Sequence, residues 1–303
     1  MVVKLSIKQK KQKSGNSEDP NGKLIAGLYL VATPIGNLKD ITIRALETLK
    51  AADMILCEDT RIGGSLLKYY DIKKPLQALY DHNEAEKSAY IIREIKKDKA
   101  IALISDAGMP LISDPGYKLV HACLDDEIMV TSCPGASAPL TALQLSGLPS
   151  DKFAFLGFLP TKSKARQDLL TAWKTCPATL IFFDNALRAK DSLKDMQKIL
   201  GDRPIVLARE LTKLFEDIWR GTAAELIEYI DSGAVLKGEI VILVGNIDNE
   251  NTLQSIDIEG LLKNALMHNS LKDAVSIVTE QTGLKKKDIY ATALQIQNEI
   301  ENS

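Results

Sequence analysis

Short apolar runs alternate with amphipathic segments between residues 27 and 147. The short runs predict β-strands, and the longer segments predict helices because their apolar residues recur every three or four positions. This alternation is typical of βαβ units and a largely parallel sheet. The predicted strands are 27–33, 54–60, 75–81, 101–105 and 128–133, and the predicted helices are 38–52, 61–71, 84–98, 115–126 and 137–147.

The segment LPSDKFAFLGFLP (148–160) interrupts this rhythm and indicates a crossing between domains. A second α/β series follows it. Helices are predicted at 165–175, 191–201 and 223–232, and strands at 178–184, 204–210, around 215–219 and at 239–245. The pattern therefore predicts two α/β domains, 24–149 and 150–247.

The two ends of the chain differ from this core. Residues 1–23 contain six lysines and two acidic residues and predict a disordered basic tail. After a polar linker, residues 256–303 show helical periodicity with breaks at Asn269, Ser270 and Gly283, which predicts a small module of two or three helices. Its expected packing positions are Leu271, Ala274, Val275, Val278, Ile289, Ala293 and Leu294.

Composition narrows the class of protein. The 303 residues are 45% hydrophobic and 26% charged, which is ordinary for a globular protein. Four cysteines without a C-x-x-C pair, and only three histidines, give no zinc pattern, so no metal is expected. The apolar stretch 24–32 follows a basic segment as in a signal peptide, but it leads into a polar turn, so we interpret it as the first strand of a cytoplasmic protein.

Polar turns follow all five strands of the first series. They are TPIGN (33–37), EDTR (58–61), DHNE (81–84), SDAGMPLISDPG (105–116) and CPGASA (133–138). Ligands of an open α/β sheet bind beyond the carboxyl ends of its strands, so these turns predict one site. Neither G-x-G-x-x-G nor G-x-x-x-x-G-K-[ST] is present, which argues against a nicotinamide dehydrogenase and a P-loop ATPase.

These turns, together with LPSDKFAFLGFLP, VLARELTKLFEDIWRGT and KGEIVILV, resemble the tetrapyrrole methylase superfamily over about residues 27–246. TPIGNLKDIT and SDAGMPLISDPG resemble more narrowly its ribosomal RNA branch, the small subunit methyltransferase I family. That resemblance implies 2′-O-methylation of a cytidine ribose in 16S rRNA of the small ribosomal subunit. It also implies S-adenosylmethionine as cofactor, a homodimer and a cofactor cleft between the two α/β domains.

The same resemblance implies the cofactor-binding residues. They are Pro34, Gly36, Asn37, Ser105, Asp106, Ala107, Gly108, Pro110, Ser113, Asp114, Gly116, Pro134, Gly135, Ser137, Ala138, Phe183 and Asp184. The chain departs from the family at Met109, where threonine is usual. It also departs at 184–188, where Asp-Asn-Ala-Leu-Arg replaces a Glu-Ser-Pro-His-Arg-like run.

A ribose hydroxyl is a poor nucleophile, so a nearby base is expected. The catalytic candidates are Glu58, Asp59, His82 and Glu84, with Arg61 to hold a phosphate or orient a carboxylate. An N-terminal helix cap is the alternative for Glu58 and Asp59. Because the net charge is only −2, RNA must be held by local patches. The candidates are Lys162, Lys164 and Arg166; Arg209 and Lys213; and Lys285, Lys286 and Lys287.

Two rival functions stay open. One is methylation of a tetrapyrrole or another small molecule by the same fold, since a fold does not determine a substrate. The other is a non-enzymatic module that docks on ribosomes, with the altered 184–188 loop as its mark. Clustered carboxylates in EDTR and DHNE favour an enzyme over a pure binder.

The C-terminal module generates a testable prediction. Its lysines at 285–287 begin a predicted helix, where cations oppose the helix dipole, so an anionic partner explains them better than local stability does. Deletion of residues 251–303 is expected to weaken binding to small-subunit RNA and to flatten its salt dependence, with cofactor binding preserved. Titration of the small subunit at several salt concentrations measures both. An unchanged affinity and salt slope would show that the module does not contact RNA.

Overall fold

The computed structural model describes residues 23–80, 82–234, 236–246, 258–282 and 286–301. The basic tail before Lys23, most of the polar linker, Asp81 and the segment 283–285 lie outside the described residues. The chain divides into two units, one comprising 1–174 with 178–245 and the other comprising 175–177 with 246–303.

The first sheet confirms the predicted parallel arrangement. Its five strands have the order β3-β2-β4-β1-β5, and all pairs are parallel. The strands are β1 (Gly27–Val31), β2 (Met54–Cys57), β3 (Leu76–Ala78), β4 (Ala100–Ile104) and β5 (Val130–Cys133). The helices are α1 (Ile43–Ala51), α2 (Thr60–Tyr69), α3 (Glu84–Ile95), α4 (Tyr117–Asp125) and α5 (Ala138–Ser146).

Both faces of this sheet are buried. Tyr29 and Val31 of β1 pack in one core, and Leu28 of the same strand packs in the opposite core. Since all the strands run in the same direction, their carboxyl ends, with the polar turns that follow them, lie at one edge.

The second sheet is mixed. Its order is β6-β7-β10-β8-β9, and only β6 and β7 are parallel. The strands are β6 (Phe153–Phe158), β7 (Thr179–Asn185), β8 (Ile205–Arg209), β9 (Asp217–Gly221) and β10 (Glu239–Val244). The helices are α6 (Ser163–Ala172), α7 (Ala189–Leu200) and α8 (Ala223–Asp231).

Two details correct the sequence analysis. The expected crossing at 148–160 contains strand β6, an edge strand with no fully buried residue, so it lacks the alternation that signals a strand. Helix α5 precedes the expected boundary at 149/150, yet its Ala142 and Leu143 pack in one core with Ile181 and Val206 of the second sheet. Helix α5 therefore lies before the boundary in sequence but packs on the second sheet.

The C-terminal unit has three helices in its described part: α9 (Ile258–Leu266), α10 (Leu271–Thr282) and α11 (Lys286–Glu301). The expected positions Val275, Val278, Ile289 and Ala293 lie in its core, Ala274 is also buried, and Leu271 packs against the core. The expectation for Leu294 was wrong, since it is 39% exposed. Ile296 is buried instead because 289, 293 and 296 follow the helical repeat.

Glu84 links helices α3 and α4. The residue before α4 is Gly116, which has φ +127° and no side chain to cap the helix. The buried carboxylate of Glu84 replaces that cap by accepting a hydrogen bond from the Leu119 backbone N–H at 3.0 Å. One end of the loop 105–116 is thereby held against α3.

Replacing Glu84 by alanine is expected to lower the free energy of unfolding by about 1–3 kcal/mol, because the buried Leu119 N–H loses its acceptor. Glu84→Gln keeps an acceptor oxygen and is expected to retain most of the stability. Urea denaturation measures both variants. The exposed Glu86 in the same helical turn provides the control, Glu86→Ala. Equal stability of the Glu84→Ala and Glu86→Ala variants would contradict the capping role.

Candidate functional site

The turns after β1 and β4 are joined directly. The Thr33 N–H donates to the Gly108 carbonyl at 2.9 Å, and the Gly108 N–H donates to the Thr33 carbonyl at 3.1 Å. The buried Ser105 hydroxyl also donates to the Gly108 carbonyl at 2.8 Å. Gly108 has φ +81°, a conformation that favours glycine. The loops 33–37 and 105–116 therefore form one connected platform.

A partly open cavity of about 250 Å³ lies between this platform and the second sheet. Nine of the residues expected to bind a cofactor line it: Asp106, Ala107, Gly108, Ser113, Asp114, Ser137, Ala138, Phe183 and Asp184. The sequence analysis did not include its other lining residues among the site residues: Ile35, Met109, Ile112, Pro139, Phe158, Ala208, Leu211, Glu239, Ile240 and Val241. Apolar strand residues of this kind carry no sequence signal that separates them from the core.

A wider groove of about 750 Å³ lies beside the cavity. The expected residues Pro34, Gly36, Asp59 and Arg61 line it. Ile35, Asp106, Ala107 and Glu239 line both spaces, so the groove and the cavity adjoin at these residues. The other groove residues are Leu38, Ile62, Ser65, Leu66, Tyr69 and Lys213.

Six of the expected cofactor-binding residues line neither of these two spaces: Asn37, Ser105, Pro110, Gly116, Pro134 and Gly135. They shape the loops instead. The Asn37 side chain caps a short 3-10 turn at Leu38–Asp40, and a Cβ on Gly135 would lie 2.9 Å from the Ala32 side chain. These residues therefore lie in the loops around the cavity and the groove and do not line either space.

The loop after β1 also meets the second sheet's loop 210–213. A Cβ on Gly36 would lie 2.5 Å from Lys213 Cγ and 2.8 Å from the Leu211 carbonyl oxygen. The neighbouring Asn37 N–H donates to Thr212 Oγ1 at 3.0 Å. Only a residue without a side chain allows this approach, so Gly36 sets the spacing of the two sheets at the site.

Asp59 is the N-cap of α2. Its carboxylate accepts the Arg61 backbone N–H at 2.8 Å and Arg61 Nε at 3.0 Å. These bonds from Arg61 lower the pKa of Asp59 to about 2. A carboxylate with so low a pKa is a weak base. The capping alternative therefore accounts for Asp59 better than a catalytic role does.

The other catalytic candidates lie at different places in the structure. Glu84 is buried, lines neither the cavity nor the groove, and caps α4. His82 is exposed at the start of α3 and also lines neither space. Glu58 is exposed but close enough to Asp114 to affect its ionisation. Of the candidate bases, only Asp59 and Glu58 therefore lie at or near the cavity and the groove.

Asp114 has the most perturbed carboxyl group of the site. Burial, followed by the charges of Glu58 and Asp106, raises the pKa of Asp114 to about 7. Burial also raises the pKa of Asp106, which accepts the Asp59 N–H at 3.2 Å. Perturbed carboxyls in a cavity are typical of acid–base chemistry. The sequence analysis placed Asp114 among the binding residues only.

The altered loop 184–188 keeps an internal ion pair. The buried Asp184 carboxylate accepts hydrogen bonds from Arg188 at 2.7 Å, from Ser192 at 2.5 Å and from the Asn185 N–H at 2.8 Å. Leu187, in place of the family's usual histidine, is 88% exposed. Asp184 lines the cavity, but its carboxylate is engaged in holding this loop together.

Some of the cations expected to bind RNA are buried or paired with acidic residues, and others are exposed. Arg166 is 3% exposed and forms an ion pair with Asp195 at 2.6 Å, so it is a structural residue. Lys213 is neutralised by Glu210 and Glu239, at 3.0 and 2.9 Å, and Arg209 lies 3.7 Å from Asp217. Lys162, Lys164, Lys286 and Lys287 are exposed, and Lys285 lies outside the described residues.

Among the described residues, no cluster of three or more His, Cys, Asp or Glu side chains is arranged to hold a metal ion. The described helices likewise include none that is long and apolar enough to cross a membrane.

Comparison with known proteins identifies two family models. The model for Tetrapyrrole (Corrin/Porphyrin) Methylases matches residues 27–227, and the model for the RsmI C-terminal HTH domain matches residues 253–297. Proteins named Ribosomal RNA small subunit methyltransferase I are similar over most of their length. The one from Mesorhizobium japonicum is 45% identical, covering 94% of this chain and 97% of its own; that from Haemophilus influenzae is 48% identical, covering 88% and 96%.

Solved structures show the same fold at low identity. A diphthine synthase aligns with a TM-score of 0.57 and 14% identity over 72% of this chain and 89% of its own. A uroporphyrin-III-C-methyltransferase from Thermus thermophilus aligns with a TM-score of 0.52 and 20% identity over 73% and 94%. Their likeness concerns the fold of the two sheets and carries nothing about the substrate.

The pKa of Asp114 predicts a pH effect on stability. Its folded pKa of about 7 exceeds the ordinary value of 3.8, so the folded state holds a proton that the unfolded state releases. Stability is therefore expected to fall as pH rises from about 4 to about 7. Asp114→Asn removes this loss and is expected to be more stable than the wild type at about pH 8 by ~1 kcal/mol, a value reduced for solvent screening.

Urea denaturation at about pH 5 and about pH 8 measures the effect, because the difference between variant and wild type should grow between them. The exposed Asp151 provides a matched control, Asp151→Asn. If the difference in the free energy of unfolding between wild type and Asp114→Asn is the same at both pH values, Asp114 has an ordinary pKa.

Proposed function

Because the chain belongs to the tetrapyrrole methylases, and among them to the ribosomal RNA small subunit methyltransferase I family, we propose that it methylates ribosomal RNA. More specifically, it transfers a methyl group from S-adenosylmethionine to the ribose 2′-hydroxyl of a cytidine in 16S rRNA. The single observation that supports this best is a cavity lined by the family's motif loops, with an ionisable carboxyl in its wall.

The residues of the cavity fit this cofactor. S-adenosylmethionine carries a sulfonium and an ammonium cation, a ribose and a flat adenine. The cavity combines apolar walls, including Ile35, Phe158 and Phe183, with the carboxyl groups of Asp106 and Asp114. Apolar walls suit the adenine, and carboxylates suit the cations and the ribose hydroxyls.

When bound, S-adenosylmethionine would supply its sulfonium methyl group: the hydroxyl oxygen would bond to the methyl carbon as the carbon–sulfur bond breaks, with a neutral thioether as leaving group. The protein orients the hydroxyl and accepts its proton. Asp114 suits proton transfer, since a pKa of about 7 leaves a substantial fraction ionised near neutral pH while keeping the carboxylate basic. Asp59, with a pKa of about 2, holds Arg61 in place instead.

The remaining parts of the proposal concern partners. The protein binds 16S rRNA within the small ribosomal subunit, in the cytoplasm. It acts as a homodimer. The C-terminal unit, whose match is to a helix-turn-helix domain, is the proposed secondary RNA contact through Lys286 and Lys287. No metal takes part in the proposed reaction.

Methyl transfer to RNA tests the proposal. Full-length protein, S-adenosylmethionine with a labelled methyl group and small subunits from cells lacking this protein are expected to yield 2′-O-methylcytidine in 16S rRNA. Mass spectrometry of nuclease fragments identifies the nucleoside and its position. Label in a precorrin and none in RNA would support the small-molecule rival, and binding without turnover would support the docking module.

Asp106→Arg is expected to abolish cofactor binding, because a bulky cation replaces a carboxyl that lines both the cavity and the groove. Calorimetry with S-adenosylmethionine measures the affinity. The surface variant Asp151→Arg makes the same charge change away from the site and is expected to bind as the wild type does. Unchanged affinity in Asp106→Arg would remove this loop from the cofactor site.

A further inference from the structure

Helix α2 presents two different faces. Gly63 and Leu67 face the core, where Gly63 approaches the Cys57 side chain closely. Ile62, Ser65 and Tyr69 line the groove described above. Ile62 is 46% exposed and Tyr69 is 60% exposed, so α2 offers apolar and aromatic surface to this groove.

The Tyr69 ring is held in place by its neighbour. The two rings of Tyr69 and Tyr70 meet edge to face, with their centroids 4.9 Å apart and their planes at 90°. The Tyr70 hydroxyl donates to the carbonyl of Leu38, another residue that lines the groove. Tyr69 therefore packs on a ring that is itself anchored, and leaves most of its own surface exposed to the groove.

The charges of the groove do not suit a run of phosphates. Its charged side chains are Asp59, Asp106, Glu239, Arg61 and Lys213, which sum to one negative charge. The carboxylate oxygens of Asp59, Asp106 and Glu239 can accept hydrogen bonds from the hydroxyl and amino donors of a nucleoside. Arg61 pairs with the single carboxylate of Asp59 and its side chain is 89% exposed, whereas Lys213 is 30% exposed between two carboxylates. The guanidinium of Arg61 can therefore bind one phosphate with the donors that Asp59 leaves exposed.

The groove lies next to the cavity that is proposed to hold the cofactor. Ile35, Asp106, Ala107 and Glu239 line both the groove and the cavity, so a molecule in the groove lies next to the cavity. A nucleotide turned out of its helix no longer stacks on its neighbours, so its base can lie on an aromatic side chain while its ribose reaches the shared residues.

We propose that the groove along α2 binds the acceptor nucleotide of the RNA, unstacked from its neighbours, with its base on Tyr69 and Ile62 and its phosphate at Arg61. This inference rests on the proposed function and adds the site where the RNA substrate enters. Stacking on an aromatic ring gives affinity for a base, and the acidic wall favours a base with an amino donor such as cytosine.

Steady-state methylation of small subunits by the full-length protein, at saturating S-adenosylmethionine, tests the inference. Tyr69→Ala is expected to lower kcat/KM for RNA about 10- to 100-fold, the range for loss of one stacked base. Tyr69→Phe and Tyr69→Trp are expected to stay near the wild-type value. Cofactor affinity, measured by calorimetry, is expected to be unchanged in all three variants. The exposed Tyr229 on α8 provides the control, Tyr229→Ala.

Arg61→Gln gives a second and independent measurement. Loss of one phosphate contact is expected to reduce the slope of log affinity for RNA against log salt by about one. The matched control is Lys68→Gln, since Lys68 is exposed on the same helix but does not line the groove. Equal slopes for these two variants would contradict the phosphate contact.

The outcomes separate the inference from the proposed function. If the wild type methylates RNA and Tyr69→Ala matches Tyr229→Ala, the groove inference fails while the proposed function stands. If the wild type transfers methyl groups only to a small molecule, both fail. If Tyr69→Ala changes the sedimentation of the protein from dimer to monomer, this face is an interface between copies, and the inference is again overturned.

Discussion

The close approach of Gly36 to residues 211–213 is the contact on which the site depends. It joins the loop after β1 to the second sheet, and a Cβ at Gly36 would overlap Lys213 and Thr212. The same loop is paired through Thr33 with Gly108 after β4. Three separate chain segments are thus held at distances that leave one partly open cavity and one wider groove. Since both spaces share Ile35 and Asp106, a change at this contact would alter both.

Three carboxyl groups of the first α/β domain have different properties because their surroundings differ. Asp59 pairs with Arg61 and stays ionised, with a pKa of about 2. Asp114 is desolvated near other acids and has a pKa of about 7. Glu84 is buried and bound to a backbone N–H, where it caps a helix. The environment of each group thus gives an ion-pair anchor, a titratable group and a structural cap.

In the proposed reaction the cavity holds the cofactor and the groove holds the RNA substrate. Apolar strand residues of the second sheet, such as Phe183 and Val241, line the cavity. Helix α2, which follows strand β2 of the first sheet, places the exposed ring of Tyr69 along the groove. A cofactor of nearly constant shape suits the smaller space, whereas a large RNA substrate requires the more open one. The hydroxyl and the methyl group are proposed to meet where the two spaces adjoin, at the residues that line both.

The sequence by itself determined the parallel first sheet, the α/β character of the second, the helical C-terminal unit and the edge where the site lies. These features depend on the spacing of apolar residues and on turn residues, which are local in the chain. The tertiary structure alone decided that 148–160 contains a strand, that α5 packs on the second sheet, that Glu84 is a cap and that Asp114 has a raised pKa. Each of these depends on segments distant in sequence, because burial and charge are set by neighbours that local patterns do not record.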